Sequence, residues 1–227
     1  MKIPKKVHLC WFGNGNYPEE MVKCLASIQE FVPDYEVCIW TEDNFDVNAY
    51  RFAKEAYQEK KYAFVSDVCR LHVLYEHGGI YLDTDVEVVQ NFDAFLHHKF
   101  FCGFESDRLL STAVLGSVKG NPILQNFLTM YKTKSFYRKH LYKKYHTTPN
   151  TITITDDFLG RGLKLTNQKQ QLEGCETVVY PQAFFSPKNW ITGEYHITAD
   201  TVAIHHFLGS WKQGKNRKDW MKRLFLF

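Results

Sequence analysis

The segment between residues 75 and 89, YEHGGIYLDTDVEVV, places charge where a folded chain normally excludes it. Its apolar, β-branched run predicts a buried strand, yet Asp83 and Asp85 interrupt that run. Residues two apart in a strand share a face, so Asp83, Asp85 and Glu87 are expected to point the same way. Ionised carboxylates on one covered face repel one another and lose hydration, so the arrangement calls for a compensating cation.

Oxygen ligands favour a hard divalent ion, so the two aspartates predict a site for Mn²⁺ or Mg²⁺. An ion held by so few protein groups completes its coordination with phosphate oxygens. The DxD pattern is short and common, however, and a strand end with solvated aspartates is the simpler interpretation. Other parts of the chain bear on this choice.

A polar block near the C-terminus, HHFLGSWK, favours the metal interpretation. Its spacing is HxxGxxK, formed by His206, Gly209 and Lys212. An imidazole is a suitable third ligand for Mn²⁺, a glycine lets the backbone approach a diphosphate, and a lysine neutralises it. We assign the ligand to His206 and keep His205 as the alternative. Two ordinary histidines at a strand end are the competing interpretation.

The helix predicted before the DxD strand carries a polar patch. Ser66, Asp67 and Arg70 lie within one turn of one another in AFVSDVCRLHVLYEHGG. The patch is suited to bind sugar hydroxyls, or it is only an Asp–Arg pair on a helix surface. Trp11 follows the first predicted strand and precedes a Gly-rich loop, where its ring either stacks on a base or belongs to the core.

Strand and helix signals alternate along the chain, which predicts an α/β fold. Val7–Trp11 and Tyr35–Trp40 predict strands around a helix that begins near Pro18 and ends at Pro33, a right-handed βαβ unit of a parallel sheet. A later helix is expected to be capped by Asn121. Further segments with strand-like beginnings are HKFFCGFES, LLSTAVLGSV, TITITDDFLGRG, ETVVYP and TVAIHHFLGSW.

Length and composition limit the function classes. The 227 residues predict one domain over 1–227, with 44% hydrophobic residues as core material. A net charge of +3 excludes an overall nucleic-acid signature. Six scattered cysteines without a CxxC pair predict reduced thiols and a cytoplasmic location. No apolar run is long enough to span a bilayer or to form a signal peptide.

Four blocks of the sequence together resemble the DxD-containing glycosyltransferases of the capsular-polysaccharide type. They are IPKKVHLCWFG, WTEDN, AFVSDVCRLHVLYEHGGIYLDTDVEV and AIHHFLGSW, and the third is far more specific than DxD alone. This family also includes yeast outer-chain mannosyltransferases, and the spacing is similar to that of the glucosylating domains of large clostridial toxins. The resemblance implies a GT-A fold, in which a mainly parallel, Rossmann-like sheet flanked by helices binds a nucleotide sugar at its strands' carboxyl ends.

The resemblance also implies a role for each matching residue. It implies that Asp85 is the principal metal ligand, that Asp83 contacts the ribose, the sugar and the ion's shell, and that His206 completes that shell. The other positions implied to contact the donor are Trp11 at the nucleobase, Ser66 near the nucleoside, Tyr81 beside the nucleotide, Asp67 and Arg70 at sugar hydroxyls, and Ser210, Trp211 and Lys212 at the diphosphate.

The implied reaction moves a hexose from a nucleotide sugar, preferably linked to UDP, onto a glycan or lipid-linked acceptor with retention of configuration. A bound Mn²⁺ or Mg²⁺ would stabilise the leaving diphosphate. We expect the departing phosphate oxygen to take the acceptor's proton, because no catalytic base stands out in the matching blocks. Asp157, next to Asp156, is a candidate for an acceptor contact or for stabilising the ring cation, and a helix or turn cap is the alternative.

The basic and aromatic residues of 131–146 and 211–227 suggest a contact with anionic membrane lipid. The tail WMKRLFLF would then lie at the inner face of the membrane, close to a lipid-linked acceptor. A C-terminal helix packed on the core, with a solvated basic face, explains the same composition equally well.

Two other functions compete with the transferase. In a haloacid-dehalogenase-type phosphatase, Asp83 would be the nucleophile and Asp85 the acid/base. That motif normally opens its domain, whereas two strands and two helices precede it here. A non-catalytic nucleotide-sugar binding module is the third possibility, and the metal set argues against it because a binder has no bond to polarise.

Overall fold

The computed structural model describes residues 1–138 and 144–209. Strands and helices alternate along these ranges, as the sequence predicts. The strands are β1 Lys6–Cys10, β2 Glu36–Trp40, β3 Gly79–Leu82, β4 Val86–Val88, β5 Phe100–Ser106, β6 Leu109–Leu110, β7 Val114–Ser117, β8 Gln170–Leu172, β9 Thr177–Tyr180 and β10 Ala203–His205. The helices are α1 Glu19–Phe31, α2 Arg51–Gln58, α3 Tyr62–His77, α4 Pro122–Thr133, α5 Asn150–Gly160 and α6 Gln182–Phe185.

The main sheet has the strand order β2-β1-β3-β7-β5-β9-β8, with β6 paired to β5. β1 is parallel to both β2 and β3, and β5 is parallel to β9. β7 runs against both of its neighbours, so β5 and β3 point the same way. The predicted α/β class with a mainly parallel sheet is therefore confirmed, and β4 and β10 form a separate antiparallel pair.

Apolar side chains cover both faces of the main sheet. Along β1, Val7 and Leu9 join one buried cluster with Ile28 of α1. Cys10 belongs to the other cluster, which includes Val65 and other residues of α2, α3 and α4. The two-residue alternation of a strand produces this division, and it leaves the carboxyl ends of β1 and β3 as the place where polar side chains emerge.

The strand predicted through the DxD motif is interrupted, which corrects that expectation. β3 ends at Leu82 and β4 begins at Val86, in a different sheet. Between them the backbone N–H of Val86 donates to the carbonyl of Asp83 over 3.0 Å, so the motif forms a turn. Glu87 therefore does not share a face with Asp83 and Asp85 as the sequence predicted.

The segment TITITDDFLGRG is also corrected, because it forms helix α5 rather than a strand. Its β-branched alternation favours a strand, but Ile154, Thr155 and Phe158 lie on one helical face and are buried. Thr155 also accepts a hydrogen bond from the backbone N–H of Leu110 at 2.9 Å. Packing against β6 overrides the local propensity.

The predictions for the chain's C-terminal end fall largely outside the described ranges. Residues 211–227, predicted to be an interfacial helix, are not among the described residues, and neither are 139–143 of the basic aromatic stretch. None of the helices in 1–138 and 144–209 combines the length and hydrophobicity needed to cross a membrane. The single domain predicted over 1–227 stays a prediction.

Two glycines join α3 to β3 and so set the position of the DxD turn. Gly78 ends the helix with φ +67°, and its N–H donates to the carbonyl of Leu74. Gly79 has φ +114°, and a Cβ atom there would lie 2.8 Å from the carbonyl oxygen of Lys6 and 3.0 Å from Nε2 of His8. Both its backbone conformation and the adjacent strand β1 exclude a side chain.

We expect Gly79→Ala to destabilise the protein by about 2 kcal/mol or more, because it combines backbone strain with a clash against β1. For a chain of this size that lowers the melting temperature by roughly 4–8 °C. Gly160→Ala is the control, since a Cβ atom at Gly160 meets nothing within 4 Å. Equal melting temperatures for the two variants would contradict this account of the junction.

A buried histidine sits at the same junction. His8 is 1% exposed, and its Nδ1 accepts from Nε1–H of Trp40 at 3.2 Å. Its Nε2 therefore carries the proton and donates to the carbonyl of Gly78 at 2.8 Å. Burial lowers the pKa of His8 to about 4, although the bond to Gly78 opposes the shift. The ring is neutral in the folded protein at pH 7.

Between about pH 6.5 and pH 4 the unfolded chain binds a proton at His8 that the folded chain does not bind. The free energy of unfolding therefore falls as the pH falls through this window. Between pH 7 and pH 5 we expect His8 to account for a loss of at most about 2 kcal/mol. Urea unfolding at both pH values measures it, and His8→Gln should show a smaller loss. The same loss in wild type and variant would refute this assignment.

Candidate functional site

The polar residues singled out by the sequence gather at one edge of the main sheet. β1 and β3 are adjacent and parallel, so Trp11 and Asp83, which follow these strands, lie at the same edge. Crevices outside the carboxyl ends of parallel strands are the usual ligand sites of such sheets. The sheet topology therefore brings together residues that are far apart in the sequence.

Asp83, Asp85 and His205 form a cluster that could hold a metal ion. Each offers a ligand atom, and these atoms all lie within 4.8 Å of one another. Antiparallel pairing of β10 with β4 places His205 opposite Val86, directly after the DxD turn. The Nε2 atom of His205 lies 3.4 Å from Oδ1 of Asp85. The structure thus adds the predicted third ligand type to the two aspartates.

The histidine in this cluster is His205, the alternative kept from the sequence, and the role of His206 as the ligand stays a prediction that this geometry does not favour. The side chain of His206 faces Glu87, with 2.8 Å between Nε2 and Oε2. Only the backbone of His206 reaches the turn, through its N–H and the carbonyl of Asp85 at 3.0 Å. Neighbouring residues at a strand end point to opposite sides, so only one of the two histidines can face the aspartates.

Asp85 is ionised in this environment. Burial alone would raise its pKa, but the charge of His205 and hydrogen bonds from His205 and the backbone N–H of Leu208 outweigh it and lower the pKa to about 2. The Leu208 N–H lies 2.8 Å from Oδ2. For His205, burial lowers the pKa while Asp85 raises it, and the net shift is upward. A permanently ionised carboxylate is the protonation state that a divalent cation requires.

The composition of the cluster fits a divalent cation. His205 is 8% exposed, and its Nδ1 atom is buried without a hydrogen-bond partner. A buried nitrogen in this state costs free energy unless the ring turns or another group uses it. Two carboxylates and one imidazole are a donor set typical of Mn²⁺ and acceptable to Mg²⁺. Asp83, Asp85 and His205 would hold such an ion.

Arg70 connects the predicted sugar-binding patch to the DxD turn. It is 6% exposed and forms ion pairs with Asp67 at 3.0 Å and with Asp83 at 3.2 Å. It also donates to the carbonyl of Thr112 at 2.8 Å and to the carbonyl of Ser66 at 3.3 Å. Burial raises the pKa of Asp67 to about 6, although Arg70 opposes the shift. The patch predicted on α3 is thus an internal network of α3, the turn and residue 112.

Two other predicted contacts of the donor take structural positions. Tyr81 is 1% exposed, its hydroxyl donates to Asp83 over 2.7 Å, and Arg70 lies over its ring. Its role beside the nucleotide stays a prediction. Ser66 is part-buried and donates to the carbonyl of Tyr62 at 3.3 Å. The side chain of Tyr81 packs in the same buried cluster as residues of α3, and from there its hydroxyl reaches Asp83.

Trp11 borders a groove at the end of β1, as expected for a side chain that stacks on a ligand. The groove has a volume of about 340 Å³ and is also lined by Tyr17 and Thr41. The indole N–H donates to the carbonyl of Gly15 at 2.8 Å, and the Tyr17 ring meets the indole edge-on at 5.8 Å. The indole is therefore oriented by the Gly-rich loop instead of being part of the core.

The remaining predicted residues are not brought into this cluster. Asp157 forms an ion pair with Arg161 at 2.6 Å on α5, about two turns beyond Asn150. Asn150 is the α5 residue that reaches the site, since its amide donates to the carbonyl of Asp67 at 3.2 Å. The catalytic role of Asp157 stays a prediction. The predicted diphosphate contacts Ser210, Trp211 and Lys212 lie outside the described residues.

Backbone groups of two loops complete the site, and the sequence did not reveal them. The carbonyl of Ala113 accepts from the N–H of Asp83 at 2.8 Å, next to the Thr112 carbonyl that holds Arg70. The N–H of Leu208 reaches Asp85. Backbone donors and acceptors have no residue signature, so only the fold could have identified them.

Comparison with known proteins shows what part of this chain is similar to. Residues 18–101 match the family described as the glycosyltransferase sugar-binding region containing the DXD motif. This chain is related to the DXD-containing glycosyltransferases. The matched region holds Ser66, Asp67, Arg70, Asp83 and Asp85, while Trp11 and His205 lie outside it. The resemblance noted in the sequence is confirmed.

Two curated relatives illustrate the range of the family. Inositol phosphoceramide mannosyltransferase 3 of Schizosaccharomyces pombe is 35% identical over 126 residues, which cover 54% of this chain and 35% of the relative. Subversion of eukaryotic traffic protein A of Legionella pneumophila is 23% identical over 248 residues, covering 83% of this chain and 38% of the relative. This chain spans little more than a third of each of these two relatives.

A solved structure supports the fold independently. The PaToxG glycosyltransferase superposes with a TM-score of 0.53 at 22% identity and covers 70% of this chain and 71% of its own. The similarity shows a shared fold, the GT-A type implied by the sequence resemblance.

The two adjacent histidines allow a direct test of the metal cluster. We expect His205→Ala to weaken Mn²⁺ binding by about tenfold or more, because it removes one of the protein ligands. His206→Ala is the matched control and should bind Mn²⁺ with nearly the wild-type affinity. Electron paramagnetic resonance of unbound Mn²⁺ gives both affinities. Weaker binding in the His206 variant alone would restore the assignment made from the sequence.

Proposed function

We propose that this chain is a metal-dependent glycosyltransferase that moves a hexose from a nucleotide-diphospho-sugar to a hydroxyl acceptor. The observation that carries the proposal is the cluster of partly buried Asp83 and Asp85 with buried His205, whose two aspartates lie in the segment that matches the DXD sugar-binding region. The groove beside Trp11 lies at the same sheet edge and offers an aromatic ring for a nucleobase. The proposal thus assigns the cation and the nucleobase to neighbouring parts of one sheet edge.

The residues divide the work of the transfer between them. A divalent ion would act as a Lewis acid on the diphosphate that leaves the anomeric carbon. Asp85, ionised through its contacts with His205 and Leu208, would hold that ion. Asp83 is held by Tyr81 and Arg70 and would orient the same ion or the ribose. Asp67, which pairs with Arg70 at 3.0 Å, would accept a hydrogen bond from a sugar hydroxyl.

We further propose retention of the anomeric configuration. In this geometry the acceptor hydroxyl attacks from the side on which the diphosphate leaves, and the departing phosphate oxygen takes its proton. The acceptor's proton thus ends on the leaving diphosphate, and no protein side chain has to act as a base. The support is the resemblance to retaining relatives, and Asp157, paired with Arg161, is then needed for neither proton.

For the donor we propose a UDP-sugar, because the Trp11 pattern resembles that of the clostridial glucosylating domains. The names of the relatives do not all agree with this donor, since one of them is an inositol phosphoceramide mannosyltransferase. The candidate sugars are accordingly galactose, glucose, N-acetylhexosamine and mannose. We propose Mn²⁺ as the preferred cation, because an imidazole joins the two carboxylates.

The proposed setting is surface-polysaccharide synthesis on the cytoplasmic side of the membrane. The six cysteines are free thiols, four of them buried, which supports a reducing location. Docking to anionic lipid through residues 211–227 rests on composition alone.

The phosphatase alternative is disfavoured by the place of Asp83 in the fold. Its Oδ1 accepts from Tyr81 at 2.7 Å and pairs with Arg70 at 3.2 Å, so only Oδ2 is left for a nucleophile or a metal ligand. Its turn also links two sheets instead of following the first strand of a domain.

A thermal-shift panel with UDP and GDP, each with and without Mn²⁺, tests the proposal. At about a hundred times its Kd a nucleotide stabilises the folded protein by ~2.7 kcal/mol. For this size we expect a rise of roughly 5–11 °C with UDP, and only when Mn²⁺ is present.

Asp85→Asn should abolish this rise, while Asp156→Asn, at an exposed carboxylate of α5, should retain it. If neither UDP nor GDP raises the melting temperature and the protein hydrolyses a phosphate ester in the presence of Mg²⁺, the transferase proposal is overturned and the phosphatase is favoured.

A further inference from the structure

A second groove opens at the sheet edge, beyond the residues assigned so far. It has a volume of about 320 Å³, and its walls come from two parts of the chain. One wall follows the end of β5, and the other combines the start of α6 with the segment after it. The side chains that matter here are Glu105, Asp107, Arg108, Gln182, Asn189 and Trp190.

The topology places this groove on the same side of the sheet as the DxD turn. β5 and β9 are parallel to each other, and β5 points the same way as β3 because β7 runs against both. The residues after β5 and after β9 therefore emerge at the edge where Asp83 emerges. The Trp11 groove lies at the end of β1, on the other side of β3 in the strand order.

Contacts tie the groove to the metal cluster. The side chain of Lys188 donates to the carbonyl of His206 at 3.0 Å. The backbone of Lys188 forms an antiparallel β-bridge with that of Tyr195. The Tyr195 hydroxyl lies 3.4 Å from Nδ1 of His206. The segment that carries Asn189 and Trp190 is thus fastened to the residue after His205.

The lining identifies the class of ligand. Amide, carboxylate and guanidinium groups offer many hydrogen-bond donors and acceptors, and an indole offers a flat apolar face. This combination suits a ring with several hydroxyl groups and an apolar face. Glu105, Asp107 and Arg108 give a formal charge of −1, which disfavours a phosphate at this position.

We propose that this groove is the acceptor subsite and that it binds a neutral cyclic polyol, either a hexopyranose or a cyclitol. The inference rests on the proposed transferase function. The indole of Trp190 stacks on the ring, and Glu105 and Gln182 hold its hydroxyls. One hydroxyl is then directed towards the cluster at Asp83, Asp85 and His205.

The experiment uses the full chain with UDP-sugar and Mn²⁺ and measures transfer to methyl hexopyranosides and to myo-inositol in parallel. We expect Trp190→Ala and Gln182→Ala to raise the KM for the better acceptor by about tenfold, through lost stacking and lost hydrogen bonds. The Kd of UDP with Mn²⁺ should stay within about twofold, because the nucleotide groove is separate. Ile197→Ala, at an exposed side chain outside the groove, is the control for both quantities.

The outcomes separate the two proposals. No UDP binding and no sugar transfer in the wild-type protein would overturn the transferase itself. Normal UDP binding with the same acceptor KM in Trp190→Ala, Gln182→Ala and Ile197→Ala would overturn the acceptor subsite alone. Preference for myo-inositol over the hexopyranosides, or the reverse, identifies the source of the polyol. Tighter binding of hexose 1-phosphate that depends on Arg108 would refute the neutral class.

Discussion

The site depends on the ion pairs and hydrogen bonds of one buried group, the guanidinium of Arg70. A full positive charge inside the protein is stable only if carboxylates and carbonyls surround it, and Asp67, Asp83 and Thr112 do so. These partners belong to α3, to the turn after β3 and to the loop before β7. One side chain therefore connects three parts of the chain. Removing one partner of a buried ion pair lowers the free energy of unfolding by about 3–5 kcal/mol.

The same network explains why the two aspartates differ. Asp83 faces inward to Arg70 and Tyr81, and its position is determined by the core. Asp85 lies on the other side of the turn, where His205 and the Leu208 N–H keep it ionised. One carboxylate thus has a fixed orientation and the other a low pKa, and the proposed metal-assisted transfer would use both properties.

The break between β3 and β4 determines which histidine lies beside the two aspartates. Because the DxD motif is a turn, Glu87 lies on β4 and not beside the aspartates. Because the chain turns at Asp83 and enters a second sheet, β10 pairs with β4 and delivers His205. The same pairing directs His206 towards Glu87. The choice between two adjacent histidines is thus made by strand register, over more than a hundred residues of sequence separation.

The sequence by itself determined the alternation of strands and helices, the polar patch on α3 and the importance of Asp83 and Asp85. These are local: hydrophobic period, Gly-Gly and Asn-Pro signals, and charge inside an apolar run are visible within a few residues. Tertiary structure alone decided that TITIT is a helix, that Tyr81 is buried under Arg70, and that His205 is the histidine at the aspartates. Each of these depends on which surface a distant element covers, and a side chain's burial and direction are properties of that packing, not of its neighbours in the chain.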